Sequence, residues 1–173
     1  MGKKVKYEAP KGYGHVTPYL RVRGAAAAID FYHAAFGAEE QFRLTMPDGG
    51  IAHAELDFGD ARVMLSEEHA ERGLPGPQSI GGTTVALTLY VADADAVFER
   101  AIAAGAKVRK ALADQFYGDR TGQLEDPFGH VWAVQTRVKD MSPKKMQKRL
   151  DEMTAGARPA PGAKPEQKPA KKG

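Results

Sequence analysis

Apolar and polar positions follow two different periods along the chain, and the same succession occurs twice. Alternating side chains, with a period of two, predict a strand, whereas apolar side chains spaced three or four apart predict a helix. The strand pattern covers residues 17–22 and 85–91, and the helix pattern covers residues 25–36 and 93–104. The chain therefore repeats a strand followed by a helix.

Both predicted helices end at a glycine, Gly37 and Gly105, and the second begins at Asp93. Glycine takes the left-handed conformation that closes a helix at little cost, and an aspartate side chain can accept a hydrogen bond from the first turn. These residues set the expected helix ends.

Three further alternating segments follow each helix, separated by turn-forming residues such as those of Asp126-Pro127-Phe128-Gly129. They cover residues 40–46, 50–58 and 61–66, then 107–112, 119–125 and 130–136. The sequence thus predicts an α+β fold of two tandem βαβββ units, about 15–67 and 84–137, joined by a linker over 67–84.

The ends of the chain differ from this repeat. We expect a flexible leader over 1–12, a domain over 13–140 and a short helix over 141–153 that starts at Ser142-Pro143. Residues 154–173 are mainly Ala, Pro, Gly and Lys without apolar periodicity, which predicts a disordered basic tail.

Strand alternation also predicts which side chains face the helices. The apolar set expected beneath the helices includes Leu20, Val22, Val63, Leu65, Leu87, Leu89, Val91, Trp132 and Val134. The opposite face carries Thr17, Tyr19, Arg21, His53, Glu55, Asp57, Arg62, Met64, Ser66, Ala86, Thr88, Tyr90, Val131, Ala133 and Gln135. That mixed surface is typical of a concave cup for a small molecule.

Composition excludes several kinds of site. The chain has no cysteine, which excludes disulfides, thiol nucleophiles and zinc-thiolate sites. No apolar run approaches the roughly 20 residues of a membrane span, and no secretory signal is visible at the start. We therefore expect a cytoplasmic protein that has no membrane partner.

Charge is unevenly distributed. Residues 137–173 carry 11 Lys and Arg against 4 Asp and Glu, whereas residues 1–136 carry 14 against 18. The basic part has no interleaved aromatic residues on which bases could stack, which argues against a nucleic-acid partner. A solvated, solubilising tail is the simpler interpretation.

The repeat, the helix segment Ala28–Ala38 and the turn segment Asp126–Trp132 together resemble the vicinal oxygen chelate superfamily over about residues 13–140. This superfamily includes glyoxalase I, extradiol dioxygenases and the metal-free bleomycin-resistance proteins, and the glyoxalase/bleomycin-resistance branch is the most similar. The resemblance implies a sheet cup that binds a small molecule, and a homodimer in which units of two chains complete each cup.

The metal enzymes of this superfamily place His or Glu at four positions, which correspond here to Thr17, Met64, Ala86 and Ala133. Divalent metals in such cups prefer imidazole nitrogen and carboxylate oxygen, which these four residues lack. The resemblance therefore implies no cofactor, although a divalent metal at a displaced site stays an alternative.

Two residues of the third strand supply that alternative. His53 and Glu55 lie two apart, share a face and could form a metal half-site or a catalytic general-base pair. A structural role is the other interpretation, in which the two residues bond to each other, to Arg62 or to water.

The segment 114–120 is the richest in functional residue types. Arg120 could bind an anionic ligand, and Phe116 or Tyr117 could stack on a planar one. Alternatively, Arg120 pairs with Asp114, Asp119 or Glu125 and the aromatics fill the seam between the units. His130 follows a turn glycine and is expected to cap that turn.

These features predict a metal-free small-molecule-binding protein of the glyoxalase/bleomycin-resistance type. Its expected ligand contacts are Tyr19, Arg21, Met64, Tyr90, Phe116, Tyr117 and Arg120. The alternative is a lyase or isomerase of the glyoxalase type that acts through His53 and Glu55. The sequence leaves open whether the protein is an enzyme, and it does not identify the ligand.

Overall fold

A computed structural model describes residues 9–10 and 12–155. The first unit contains β1 (Tyr19–Val22), α1 (Ala25–Phe36), β2 (Glu39–Thr45), β3 (Ile51–Asp57) and β4 (Arg62–Glu67). The second contains β5 (Ala86–Tyr90), α3 (Ala94–Ala103), β6 (Lys107–Asp114), β7 (Asp119–Glu125) and β8 (Val131–Arg137). Both predicted βαβββ units are therefore present, and the α+β fold is confirmed.

Each unit forms its own four-stranded sheet, in the orders β1-β4-β3-β2 and β5-β8-β7-β6. The pairs β1/β4 and β5/β8 are parallel, and the others are antiparallel. Met64 of β4 lies opposite both Tyr19 of β1 and Glu55 of β3, so these three residues form a row across the first sheet. The register thus brings together residues far apart in sequence.

The helix ends follow the predicted chemistry. Gly37 has a φ of 72°, and its N–H donates to the carbonyl of His33, which closes α1. At the start of α3, the Asp93 side chain accepts a hydrogen bond of 3.0 Å from the N–H of Ala96. Gly105, with a φ of 110°, follows the last turn of that helix.

The two helices pack against each other, and α1 also reaches the second sheet. Tyr32 and Phe36 of α1 contact Trp132 of β8, with ring centroids 5.4 and 4.7 Å apart. Tyr32 and Leu56 are completely buried, and burying such side chains contributes roughly 1.5–3 kcal/mol each. Because the helices and one shared core lie between the sheets, the opposite face of each sheet points outward.

The linker contains local structure that the sequence pattern did not predict. A 3₁₀ turn covers Ala70–Arg72, and helix α2 covers Pro77–Ile80. Glu68 anchors this segment, accepting hydrogen bonds from Ser79 Oγ at 2.6 Å, the N–H of Gly76 at 2.8 Å and Arg23 Nε at 2.6 Å. The Ser79 hydroxyl, the Gly76 amide and the Arg23 charge lower the pKa of Glu68 to about 2.

Helix α4 covers Pro143–Thr154 and begins at Ser142, whose side chain accepts from the N–H of Lys145. The expected disordered tail falls mainly on residues 156–173, and the expected leader mainly on 1–8 and 11, all outside the described residues. Within the part of the chain that the structure describes, no helix is long and apolar enough to cross a membrane.

Candidate functional site

The outward face of the first sheet carries a continuous chain of polar contacts. Tyr19 Oη lies 2.9 Å from His53 Nδ1, and His53 Nε2 lies 3.4 Å from Glu55 Oε1. Arg62 Nη1 donates to Glu55 Oε2 at 3.0 Å. A neutral His53 with its proton on Nε2 satisfies both partners, because Nδ1 then accepts the tyrosine proton.

Glu55 is the buried acidic residue of this row of polar contacts, with 4% of its surface exposed. Burial on its own raises the pKa of Glu55, but interactions with Tyr13, His53 and Arg62 outweigh it and lower the pKa. Glu55 is therefore an ionised hydrogen-bond acceptor at neutral pH.

Tyr13 covers the Arg62 end of the chain of contacts. The guanidinium carbon of Arg62 lies 4.7 Å from the centroid of the Tyr13 ring, which is cation–π geometry. Interaction with the Glu55 carboxylate raises the pKa of the Tyr13 phenol. Arg62 Nε is buried and finds no acceptor among the described residues.

Arg21 lies on the same face, one position from the end of β1. Its Nη1 donates to the buried hydroxyl of Ser66, and its guanidinium lies 4.4 Å from the Tyr19 ring centroid. Met64 of β4 lies on this face between its two register partners, Tyr19 of β1 and Glu55 of β3. The structure therefore places three expected ligand contacts beside His53 and Glu55.

Apolar side chains continue this face beyond the polar row. Phe42 and Leu44 of β2 lie opposite Glu55 and His53, and the Phe42 ring centroid lies 5.6 Å from that of His53. Both are exposed, at 43% and 56%. An open surface that combines a buried carboxylate with exposed rings can bind a partly polar, partly apolar molecule.

The outward face of the second sheet has a comparable constellation. Tyr90 Oη donates to Asp119 Oδ2 at 3.1 Å, and Arg137 Nε donates to the other oxygen of Asp119. Asp119 is buried, whereas Tyr90 is 55% exposed. The Arg137 guanidinium lies 5.9 Å from the Tyr90 ring centroid. Each sheet thus presents a tyrosine, an arginine and a buried carboxylate on its outward face.

Arg120 lies on the opposite face of β7, on the side of α3. Its Nε and Nη2 donate to Asp95 of α3 at 2.6 and 2.7 Å, and its Nη1 donates to Asp114 at 3.2 Å. Strand alternation explains this placement, since Asp119 and Thr121 take the outward positions on either side. The structural interpretation of Arg120 was incomplete because Asp95 is its main partner.

Phe116 and Tyr117 lie at the turn between β6 and β7, with their rings edge to face at 5.1 Å. Together with Pro143, Met146, Gln147 and Leu150 of α4 they line a groove of about 420 Å³. Burial raises the pKa of Tyr117, assisted by the charge of Asp119. The aromatics thus face the C-terminal helix rather than the seam between the units.

Asp126, and not His130, caps the Asp126-Pro127-Phe128-Gly129 turn. Asp126 Oδ1 accepts from the N–H groups of Phe128 and His130, both at 2.9 Å. The His130 ring instead reaches the first unit, with Nε2 3.1 Å from the carbonyl of Arg21. The aspartate competes successfully because its side chain spans both turn amides, as in an Asx turn.

A smaller cavity of about 330 Å³ lies at the seam between β1 and β5. Its lining is mainly apolar and consists of Pro18, Tyr19, Leu20, Thr83, Val85, Leu87 and His130. Tyr19 therefore borders both this cavity and the polar row of the first sheet.

The residues present do not fit the metal ion that the superfamily's enzymes use. Met64, Ala86 and Ala133 lie on outward strand positions and, with Thr17, offer one thioether, two methyl groups and one hydroxyl. Among residues 9–10 and 12–155, no three His, Asp or Glu side chains are grouped to hold a metal ion. Glu55 is already paired with Arg62, which competes with any cation there.

Sequence reasoning did not identify Tyr13 or the Asp119–Arg137 pair as site residues. Tyr13 precedes the first strand, so no strand period indicates where its side chain points. Asp119 lies within the segment 114–120 that the sequence pattern marks as rich in functional residue types. Because Asp119 and Arg120 are neighbours in a strand, alternation indicates that their side chains point to opposite faces of the sheet.

Comparison with known proteins agrees with this architecture. A Mycobacterium bovis protein described as uncharacterized is 44% identical over 130 residues, covering 73% of this chain and 86% of that one. The crystal structure of TioX from Micromonospora sp. ML1 is 29% identical, with a TM-score of 0.57, covering 72% of this chain and 98% of that chain.

A glyoxalase/bleomycin resistance protein/dioxygenase family enzyme from Burkholderia phytofirmans PsJN shares the fold at 23% identity and a TM-score of 0.56. The aligned region covers 69% of this chain and 94% of the Burkholderia chain. The sequence profile of one family matches residues 12–134 of the chain. The protein therefore belongs to the Glyoxalase/Bleomycin resistance protein/Dioxygenase superfamily.

Proposed function

We propose that the protein binds a small molecule in a metal-free cup that forms between the first unit of one copy and the second unit of another. The observation that carries this proposal is the outward, open position of both polar sheet faces. Each face presents exposed rings beside a buried carboxylate: Tyr19 is 41% and Tyr90 is 55% exposed. A face of this kind gains stability when another surface or a ligand covers it.

The donor set supports the metal-free part of the proposal, since Thr17, Met64, Ala86 and Ala133 offer neither imidazole nor carboxylate. The proposed ligand contacts are Tyr19, Arg21 and Met64 on one unit and Tyr90 on the other. Arg120 is left out because Asp95 and Asp114 already bind its guanidinium.

The first experiment combines mass measurement in solution with metal analysis of the purified protein. The proposal expects a dimer with far less than one metal ion per chain. A thermal-shift screen of planar antibiotics, thiol adducts and acidic metabolites then identifies ligands, because a ligand that binds the folded state raises its stability by mass action.

A complementation test examines the shared cup. Arg21→Ala and Tyr90→Ala each remove one wall and should abolish binding when produced alone. In a mixed dimer one cup contains both altered walls and the other contains neither, so purified mixed dimers should recover about half of the wild-type binding capacity. A monomer in solution, or no restored binding in proven mixed dimers, would contradict the shared cup.

A second candidate function is a glyoxalase-type lyase or isomerase that uses His53 and Glu55. The Tyr19–His53–Glu55 contacts favour acid/base chemistry, because they connect a phenol, an imidazole and an ionised carboxylate through which a proton can move. Stoichiometric nickel, zinc or iron that is lost in His53→Ala, or turnover of a glyoxalase-type substrate that is lost in the same variant, would establish this function instead.

A further inference from the structure

Gly12 and Tyr13, which precede β1, lie over Arg62 on the outward face of the first sheet. A turn places the residue, because the Tyr13 N–H donates to the carbonyl of Pro10 at 3.0 Å and Gly12 has a φ of 89°. A Cβ on Gly12 would lie 3.1 Å from Arg62 Nη2, so the backbone also approaches the guanidinium.

Residues on the other side of Tyr13 make little contact with the sheet. His15 and Val16 are exposed, and Val16 retains 88% of its accessible surface. The Tyr13 side chain, in contrast, is half-buried against Arg62. Among the described residues 12–16, Tyr13 therefore provides most of the side-chain contact with the sheet.

The site beneath Tyr13 has two elements of recognition. The Arg62 guanidinium provides a flat cation for the face of a ring, and the Glu55 carboxylate provides a buried acceptor for a hydroxyl group. Glu55 receives one hydrogen bond from Arg62 and a long one from His53, whereas an ionised carboxylate has about four acceptor positions. A donor from a bound molecule can still be accommodated.

We propose that Tyr13 occupies a ring-binding subsite on Arg62 and Glu55, and that the ligand class for this subsite is a phenol, a planar ring bearing a hydroxyl donor. This inference rests on the proposed small-molecule function and specifies part of its ligand. The chain's own tyrosine holds the subsite until a ligand phenol displaces it. Because the hydroxyl must reach a buried anion, a ring without a donor binds more weakly.

The test replaces the Tyr13 side chain by a free phenol. The variant is Tyr13→Gly in the full chain, and the probe is 4-methylphenol, with 4-methylanisole as the probe of similar shape that lacks the donor. The melting temperature is measured against probe concentration. We expect 4-methylphenol to produce a saturable rise in Tyr13→Gly, a smaller rise in the wild type and an intermediate rise in Tyr13→Phe, whose ring fills the subsite without a hydroxyl donor.

Two controls isolate the subsite. Adding Glu55→Gln to Tyr13→Gly should weaken 4-methylphenol binding at least tenfold, because the anionic acceptor is lost. Tyr117→Gly removes a partly buried tyrosine from the distant α4 groove, and 4-methylphenol should stabilise that variant no more than the wild type. Tyr13→Ala serves as the second variant if Tyr13→Gly does not fold.

Equal effects of the two probes, or equal effects on the wild type and Tyr13→Gly, would overturn the inference. Its failure is distinguishable from failure of the shared cup, because every residue of the subsite belongs to one chain. A monomeric protein that still binds 4-methylphenol would refute only the cup. A dimer with restored complementation but no phenol rescue would refute only the subsite.

Discussion

The hydrogen bond between Tyr32 and Asp126 is the buried polar link between the two units, and Tyr32→Phe removes it without changing the ring. Tyr32 Oη donates to Asp126 Oδ2 at 2.8 Å, across 94 residues of sequence. Tyr32 is completely buried and Asp126 is 3% exposed. The loss therefore concerns a hydrogen bond to a charged group shielded from water.

Hydrogen bonds to charged groups contribute about 1.5–3 kcal/mol. Asp126 keeps three donors in the variant: Trp132 Nε1 at 3.0 Å and the N–H groups of Phe128 and His130 at 2.9 Å. Because its charge stays partnered, we expect a loss of about 2 kcal/mol, toward the lower part of that range. For a chain of this size the melting temperature falls by roughly 4–8 °C.

The assay is equilibrium urea unfolding followed by circular dichroism, with the slope against denaturant checked for constancy. Tyr19→Phe is the matched control, since its hydroxyl bonds to His53 on an exposed face and should contribute less than about 1 kcal/mol. If the free energy of unfolding of Tyr32→Phe lies within about 0.5 kcal/mol of the wild-type value, the reasoning is refuted.

The Tyr32–Asp126 pair also predicts that the stability of the fold decreases at alkaline pH. Burial and the neighbouring Asp126 charge raise the pKa of Tyr32 well above its usual 10.0. Below pH 10 the residue is protonated in the folded and unfolded states, so its contribution is complete. Above pH 10 only the unfolded state ionises, which lowers stability by about 1.4 kcal/mol per pH unit until the folded pKa is reached. The difference between wild type and Tyr32→Phe should therefore shrink above pH 10.

Three further predictions concern other parts of the chain. Gly122→Ala should cost about 1–3 kcal/mol in thermal unfolding, because the new Cβ would lie 2.8 Å from Phe98 and 2.9 Å from backbone atoms of Leu112 and Lys110. The depressed pKa of Glu68, about 2, stabilises the fold above pH 4.5, a contribution lost as pH falls toward 2; Glu68→Gln should flatten this acid dependence in a pH series of melting temperatures. Arg120→Gln should leave the affinity of any cup ligand within about twofold in a titration, whereas a tenfold loss would show that Arg120 contacts ligand.

Much of the fold was predictable because strand and helix periods report burial directly. The span of α1, the Asp93 cap and the inward position of Trp132 all follow from which side chains must leave water. The linker was predicted less well because its structure depends on Glu68, whose partners are brought close only by the folded β1 and α2.

The candidate site shows where sequence reasoning stops. Alternation predicted that Tyr19, His53 and Glu55 share a face, because the side chains of a strand point to its two faces in turn. It did not predict that Tyr13 lies over Arg62, since the chain before β1 has no period. Arg120 stays a ligand contact predicted from the sequence, although strand alternation next to the outward Asp119 indicates the helix side, where Asp95 and Asp114 bind its guanidinium.

Strands β2 and β6 each pair on one side only, as do β1 and β5 at the other ends of the two sheets, which leaves unpaired backbone groups at the sheet edges. On β6, Lys107, Arg109 and Lys110 are all exposed, and β2 begins with the exposed acids Glu39 and Glu40. Like charges meet if β6 aligns with β6, or β2 with β2, which opposes edge-to-edge growth. These charges thus oppose the pairing of two copies through the same β2 or β6 edge.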